Sequence, residues 1–175
     1  MMQDLLLLGL LKEGPKHGYE IKKTIEEVLN IFTNVDSRSI YYPLRSLEKR
    51  GLVAKRAGRK GKRPAKFIYK ITSDGQRVFE RLLNENLLSF ERPIFNVDLS
   101  LYFLPLVKSG LAKNRLRNRL RGMNRIMQWL QEKKADLRKK GKSYHLLAII
   151  EHQIGLTRAD IKFTQNLIKD LDGGK

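Results

Sequence analysis

The stretch DSRSIYYPLRSLEKRGLV, residues 36–53, has the pattern of a short helix with one apolar side and one basic side. Ile40, Leu44 and Leu47 recur at spacings of three and four, which places them on one face of a helix. Gly51 follows the last turn, where a left-handed residue commonly ends a helix. The outward side carries side chains suited to phosphates and base edges. The predicted contacts are Ser37, Arg38, Ser39, Tyr41, Tyr42, Arg45 and Lys49.

Taken alone, this pattern fits an ordinary amphipathic helix with a solvated basic face as well as it fits a helix that binds nucleic acid. The residues that follow it favour DNA. Strands predicted at 52–54 and 66–72 flank KRAGRKGKRPAK, a loop with seven basic residues and no acidic one. These charges repel one another in the free protein, and a phosphate backbone relieves that repulsion and releases counterions. The loop residues predicted to bind phosphates are Arg59, Lys60, Lys62, Arg63 and Lys66.

Two further helices are predicted before residue 36. The first covers residues 5–12 with Asp4 as its N-cap and is broken by Gly14-Pro15, and the second covers residues 17–30. Three helices followed by a two-stranded hairpin are the layout of a winged helix-turn-helix, whose third helix enters the major groove while the hairpin lies on phosphates. Ser73 to Gln76 then predict a capping box for a fourth helix, with Val78, Phe79, Leu82, Leu83 and Leu87 in its core stripe. The predicted DNA-binding domain is residues 1–90.

The remaining residues, 91–175, are predicted to form a helical dimerisation domain. Two apolar seams follow a four-three alternation, interrupted by Lys134, Thr157 and Thr164, and Gly141 marks the turn between them. Residues 99–107, broken by Pro105, predict a short buried helix. The seams could pack on each other within one chain, but a dimer is the favoured interpretation because the apolar stripes have little else to cover them. The predicted dimerisation residues are Leu116, Leu120, Met123, Met127, Leu130, Leu137, Leu147, Ile150, Ile154, Ile161 and Ile168.

Three other features of this half allow two interpretations each. The basic run from Lys113 to Arg125 is explained either by pairing with Glu151 and Asp160 across the hairpin together with solvation, or by a second phosphate contact or an acidic partner. Trp129 is explained by interface packing or by stacking on a small aromatic effector. His145 and His152, seven residues apart, suit interface packing better than a metal site, since no third ligand stands at suitable spacing.

Composition limits the class of protein. The net charge is +18 and the pI is about 10.3, which favours polyanionic partners. There is no cysteine, so disulfides and thiolate chemistry are excluded, in keeping with the cytoplasm. No apolar run is long enough to span a bilayer, and the run at 5–11 reads as a buried helix because no basic residue precedes it. We expect a cytoplasmic protein without a membrane partner.

An enzyme is the least favoured class. No Gly-rich phosphate loop, metal triad or Ser/His/Asp arrangement stands out, so no catalytic residue, metal ligand or cofactor is predicted. The alternative to a DNA-binding regulator is a basic RNA- or ribosome-associated protein. RNA readers commonly present paired aromatic side chains on a sheet, whereas Phe67 and Tyr69 share one face of the hairpin, predicted to be the inner one.

Three segments of the first half resemble the PadR family of transcriptional regulators. They are LLGLLKEGPKHGYEI (7–21), SIYYPLRSLEKRGLV (39–53) and YKITSDG (69–75). The resemblance implies a winged-helix repressor that dimerises through a C-terminal helical region and is often released from DNA by a small ligand. A two-fold dimer requires a palindromic operator. One departure is that Pro43 follows Tyr42, where many members place Pro directly after the Tyr that matches Tyr41. Because Pro suits only the first turn of a helix, the recognition helix is predicted to start at Ser39 or later, or to bend.

Overall fold

A computed structural model describes residues 2–27, 29, 37–58, 66–90, 92–141 and 144–173, except the side chains of residues 37, 58 and 66. The chain divides into two compact units, Met1–Glu91 and Arg92–Lys175. The fold is mainly helical with a small antiparallel sheet, which confirms the predicted class. Within the described ranges, no helix combines the length and apolarity needed to cross a membrane.

The N-terminal unit has the element order of a winged helix. It contains α1 (Met2–Lys12), β1 (Lys16–His17), α2 (Gly18–Glu27), a 3-10 turn (Ser37–Ser39), α3 (Tyr41–Lys49), β2 (Val53–Gly58), β3 (Lys66–Ile71) and α4 (Ser73–Leu88). The sheet order is β1-β3-β2, and both pairings are antiparallel. Strand β1 extends the predicted hairpin to three strands. Lys55 and Arg56, predicted to lie in the loop, belong to β2 instead.

The core of this unit is aliphatic and forms where α1, α2 and α3 meet the sheet. Its least accessible side chains are Leu7, Leu8, Leu11, Ile21, Ile25, Ile40, Leu44 and Leu47. Burying a side chain of this size contributes about 1.5–3 kcal/mol. Leu82 of α4 joins the core, and Val78 and Phe79 pack against it. Leu83 and Leu87 do not, so the predicted stripe of α4 was too long.

Two predicted helix starts are corrected by the structure. Helix α1 begins at Met2, so Asp4 is not its N-cap but lies in the first turn, where its carboxylate accepts a hydrogen bond from Arg50 at 2.8 Å. The N-cap of α4 is Thr72, not Ser73, because the Thr72 hydroxyl accepts the backbone N–H of Gly75 at 3.1 Å. The same hydroxyl donates to the carbonyl oxygen of Gly51 at 2.8 Å, which ties α4 to the end of α3.

The C-terminal unit is dominated by a hairpin of two long helices. It contains α5 (Asn96–Tyr102), a 3-10 turn (Leu104–Leu106), α6 (Ser109–Lys139) and α7 (Tyr144–Asp172), and Gly141 adopts a left-handed φ of 59° after α6. Two of the polar residues within the predicted seams have partners inside the hairpin. The Lys134 ammonium group lies 2.8 Å from Glu151, and the Thr157 hydroxyl donates to the Gln153 carbonyl oxygen at 2.8 Å.

The short apolar segment before α6 is not buried as predicted. Leu99, Tyr102 and Leu106 expose 66%, 78% and 82% of their surfaces, and neither α5 nor the 3-10 turn has a buried residue. An apolar pattern indicates that a face tends to be covered, but not which molecule covers it. Within one chain, nothing among the described residues of this unit covers these side chains.

Candidate nucleic-acid interface

Helix α3 begins at Tyr41, one residue after the 3-10 turn Ser37–Ser39, which confirms the late start predicted from Pro43. Pro43 lies in the first turn, where backbone N–H groups have no partner within the helix, so its missing N–H costs no helical hydrogen bond. The first helical bond joins the N–H of Leu44 to the carbonyl oxygen of Ile40 at 3.1 Å. The turn and the helix together hold the predicted recognition residues in one continuous segment.

The two sides of α3 differ as the sequence predicted. Leu44 and Leu47 are inaccessible to solvent and anchor the helix in the core. The opposite side exposes Tyr41, Tyr42, Arg45 and Lys49, together with Arg38 and Ser39 in the preceding turn. The backbone of Ser37 belongs to this turn, but its side chain lies outside the described residues.

The end of α3 is fixed by its glycine. Gly51 has a φ of +73°, and the N–H groups of Gly51 and Leu52 donate to the carbonyl oxygens of Glu48 and Leu47, both at 2.9 Å. This is the left-handed termination predicted for Gly51. Because Leu52 leads directly into β2, the cap sets the path of the chain from the recognition helix to the wing.

Tyr41 is positioned by the start of α2. A Cβ atom at Gly18 would lie 2.7 Å from Cε1 of Tyr41, closer than real Cβ contacts. The neighbouring His17 is held by β1. Its Nδ1 lies 3.1 Å from the Phe67 carbonyl oxygen, which accepts its hydrogen, and its ring stacks on Tyr19 with centroids 5.6 Å apart. The α2 N-terminus therefore supports the recognition helix from one side.

These groups surround a cavity of about 420 Å³ that the sequence did not predict. It is lined by His17, Gly18, Tyr19, Tyr41, Arg45, Lys55, Phe67 and Tyr69. The signal that could have identified it is the HGY motif at residues 17–19, which follows a Gly-Pro break. The cavity places two cationic side chains beside aromatic rings at the exposed end of α3, a combination that suits a nucleic-acid backbone.

Phe67 and Tyr69 do not share an inner environment, which corrects the prediction made for them. Phe67 is 45% exposed, and the Lys55 ammonium group lies 3.9 Å from its ring centroid. Tyr69 is only 4% exposed. Burial raises the pKa of the Tyr69 phenol, and the nearby Glu48 carboxylate raises it further. Within the described part of the sheet, the two side chains do not form a paired aromatic platform.

The predicted wing contacts fall on or next to the segment between β2 and β3. Arg59, Lys60, Lys62 and Arg63 lie outside the described residues, and Lys66 begins β3 with its side chain outside them. The strands that lead to this segment are described up to the pair Gly58 and Lys66. The basic loop therefore connects the far ends of β2 and β3, where a winged helix has its wing.

The predicted dimerisation residues line the inside of the α6–α7 hairpin. Leu116, Met123, Leu130, Ile150 and Ile154 are buried within one chain. The others are half-buried, namely Leu120, Met127, Leu137, Leu147, Ile161 and Ile168. Much of each seam is thus covered by the other helix. The apolar side chains left exposed in this unit lie elsewhere, on α5, its following turn and the outer sides of α6 and α7.

Trp129 lies on the outer side of α6 and is 41% exposed, with the Lys133 ammonium group 5.9 Å from its ring centroid. A cavity of about 530 Å³ opens one turn away, and Trp129 does not line it. Its lining is mostly apolar and includes Phe95, Ile126, Leu156 and Phe163. His145 and His152 are exposed, and no cluster of metal-ligating side chains occurs among the described residues.

Comparisons with known proteins agree with this geometry. The structure is similar to Bacillus subtilis PadR in complex with operator DNA, with a TM-score of 0.85, 19% identity and coverage of 98% of this chain and 99% of that one. It is also similar to the same protein in complex with p-coumaric acid (TM-score 0.79, 18% identity, 97% and 94% covered). The Vibrio cholerae virulence activator AphA gives a TM-score of 0.79 at 14% identity, with 99% of each chain covered.

At these identities the similarities establish the fold. Comparison of the sequence with curated proteins gives no match. The sequence model of one family does match, over α1 to the middle of α4, a range that includes the recognition helix and the wing. Residues 7–81 of this chain match the model of the transcriptional regulator PadR-like family.

Proposed function

We propose that this chain binds double-stranded DNA as a regulator of transcription, with α3 in the major groove and the basic loop on the phosphates. The observation that carries the proposal is the exposed side of α3. Tyr41, Tyr42, Arg45 and Lys49 face solvent from a helix that the core and the Gly51 cap hold in place. No covalent step is needed for this role, and the proposal includes no catalytic residue.

The decisive experiment is selection of bound fragments from a pool of genomic DNA, followed by titration of the selected duplex. Arg45→Ala is expected to weaken binding by about 1–3 kcal/mol and to relax the preference at one position in each half-site if Arg45 reads a guanine. Arg77→Ala, an exposed Arg on α4, is the matched control. An equal loss of affinity for every sequence would show that Arg45 contacts only phosphates. If no sequence is enriched by the selection, the proposal is wrong.

We further propose that the chain is a homodimer formed by its C-terminal unit and that it binds a palindromic site. A two-fold dimer doubles the base contacts and requires half-sites separated by about one helical turn or a multiple of it. The exposed apolar side chains of this unit support a second copy as their cover, since monomers rarely expose such surfaces. They include Leu99, Tyr102, Phe103 and Leu106.

Light scattering of the full chain tests this assembly. Leu99→Lys is expected to shift a dimer towards monomer because it places a charge in the apolar surface, whereas Ser100→Lys, the exposed neighbour on α5, is expected to leave the mass unchanged. A monomeric unmodified chain at concentrations where it binds DNA would contradict the proposal. Its action as a repressor, rather than an activator, is tested by placing the selected site in front of a reporter.

A small aromatic effector is part of the same proposal. The cavity beside Ile126 offers apolar and aromatic walls, and Trp129, the only tryptophan of the chain, lies three residues further along α6. p-Coumaric acid is a suitable probe because it is bound by the Bacillus subtilis PadR to which this structure is similar. We expect p-coumaric acid to quench the Trp129 fluorescence of the unmodified chain but not that of the Phe163→Ala variant. Unchanged fluorescence and no heat of binding would exclude this compound. The cytoplasmic location remains part of the proposal.

A further inference from the structure

One side of α6 is built almost entirely from arginine and amide side chains. We call it the α6 arginine face. Its members recur at spacings of three and four and are all exposed, namely Asn114, Arg117, Asn118, Arg121, Arg125 and Gln128. The sequence has no acidic residue from Ser109 to Gln131, and the next one, Glu132, accepts a hydrogen bond from Gln128 at 3.0 Å at the end of this face.

The acidic residues of α7 pair mainly with other cations of α6. The Asp172 carboxylate lies 3.0 Å from the Lys113 ammonium group and 3.4 Å from the Arg117 guanidinium group. The Asp160 carboxylate lies 2.8 Å from the Arg119 guanidinium group. Arg117 is therefore partly compensated. Arg121 donates to the amide oxygen of Asn118, which is neutral.

Among the residues that the structure describes, neither Arg121 nor Arg125 is within ion-pair distance of a carboxylate. From the sequence, pairing with acidic residues of α7 was one explanation for the whole basic run from Lys113 to Arg125. The geometry limits that explanation to the side of α6 nearest α7. Arg121 and Arg125 stand one turn apart, where like charges repel. A polyanion laid along this face would relieve the repulsion and release counterions.

The chemistry of the face favours a phosphate backbone over an acidic protein. Protein interfaces depend on aromatic and aliphatic anchors near their centre, and none of the six side chains of the α6 arginine face is of that kind. Phosphate contacts need only cationic and amide donors, which alternate here. We propose that the α6 arginine face binds the phosphate backbone of duplex DNA, as a contact additional to that of α3. This inference rests on the proposed function.

Two double variants of the full chain test the proposal. Arg121→Gln with Arg125→Gln removes two charges from the α6 arginine face. Arg158→Gln with Lys162→Gln removes two exposed charges, also one turn apart, from α7. The net charge of the chain falls equally in both, so a difference between them reports position and not total charge. Thermal unfolding of each variant checks that the hairpin remains folded.

The measurement is the apparent Kd for a long random-sequence duplex at several salt concentrations. We expect the dependence of log Kd on log salt to flatten by about 1.8 for each bound subunit in the α6 variant, at about 0.9 for each phosphate that is no longer neutralised, and to stay near that of the unmodified chain in the α7 variant. Titration with poly-glutamate, a model acidic polypeptide, runs beside it.

Equal changes in the two variants, or none in either, would overturn the proposal and leave a solvated face. Loss of poly-glutamate binding by the α6 variant with an unchanged salt dependence for duplex would overturn it in favour of an acidic protein partner. In both cases α3 would remain the DNA contact. If the unmodified chain bound no duplex at all, the proposed function would fail together with this inference.

Discussion

A Cβ atom added to Gly18 would lie 2.7 Å from Cε1 of Tyr41, so the start of α2 leaves no room for a larger residue beside this ring. Gly18→Ala is therefore expected to displace Tyr41 and to weaken DNA binding by about three- to tenfold, the value of roughly one hydrogen bond. Gly155→Ala is the matched control, because nothing lies within 4 Å of a Cβ there. Titration with duplex DNA measures the affinity of both variants. Equal affinities of Gly18→Ala and Gly155→Ala would show that Tyr41 does not contact the DNA.

Gly75 allows α4 to approach the end of α3. A Cβ atom there would overlap the carbonyl oxygen of Leu52 and lie 2.8 Å from Cγ1 of Ile71. Backbone cannot move aside as a flexible side chain can, so Gly75→Ala is expected to lower the free energy of unfolding by about 1–3 kcal/mol. Urea unfolding measures the change. Gly155→Ala, in an exposed helix interior, should instead raise the free energy of unfolding by about 0.5–1 kcal/mol. An unchanged free energy of unfolding in Gly75→Ala would contradict the close approach of α4.

The basic loop between β2 and β3 is expected to contact phosphates without any preference for the DNA sequence. Replacing Lys60, Lys62 and Arg63 by Ala should weaken binding to selected and random duplexes alike and flatten the salt dependence by about 0.9 for each phosphate released from the loop. Alanine at Lys23, Arg77 and Arg81, exposed cations on α2 and α4, removes the same charge elsewhere. A salt dependence unchanged by the loop variant would remove the wing from the interface.

Glu151 should make the stability of the helical unit depend on pH. The hydrogen bond from Lys134 holds the pKa of Glu151 below its ordinary value, and Arg138 adds to this effect. A lowered pKa in the folded state means that the stabilisation is present above the unfolded pKa and is lost as the pH falls through the folded pKa. Glu151→Gln is thus expected to unfold at a lower temperature at neutral pH.

The difference between Glu151→Gln and the unmodified chain should disappear in acid, below the folded pKa of Glu151. Thermal unfolding followed from neutral to acidic pH checks this. Gln165→Glu, exposed on the same helix, is the control. A gap between the curves that stays constant with pH would show that Glu151 acts by packing and not by charge.

Local signals carried most of what the sequence predicted correctly. The helix from Tyr41 to Lys49, the left-handed Gly51 and the pairing of β2 with β3 depend on neighbours within a few residues. Strand β1 was missed because two residues between Pro15 and Gly18 are too short to show an alternating pattern. The supporting cavity around Tyr41 was missed for a related reason, since its walls come from four separate segments of the chain.

Apart from the helix starts and the end of β2, the wrong predictions concern which molecule, or which side, covers an apolar residue. Leu99 and Leu106 have the same apolar pattern whether their own chain or a second copy covers them, and in a single chain they are exposed. Phe67 alternates correctly with Tyr69 but lies near the end of the sheet, where the core no longer reaches. Periodicity determines which residues share a face, and the extent of the core decides whether that face is buried.

The ion pairs between α6 and α7 have a mechanical consequence. Glu151, Asp160 and Asp172 meet their cations near one end, the middle and the other end of the hairpin. Sliding one helix past the other by a single turn, about 5.4 Å, would misalign all three places at once. The three pairs therefore add to the resistance of the hairpin against sliding of one helix along the other. We expect the two helices to respond to a ligand or a duplex without a change in their register.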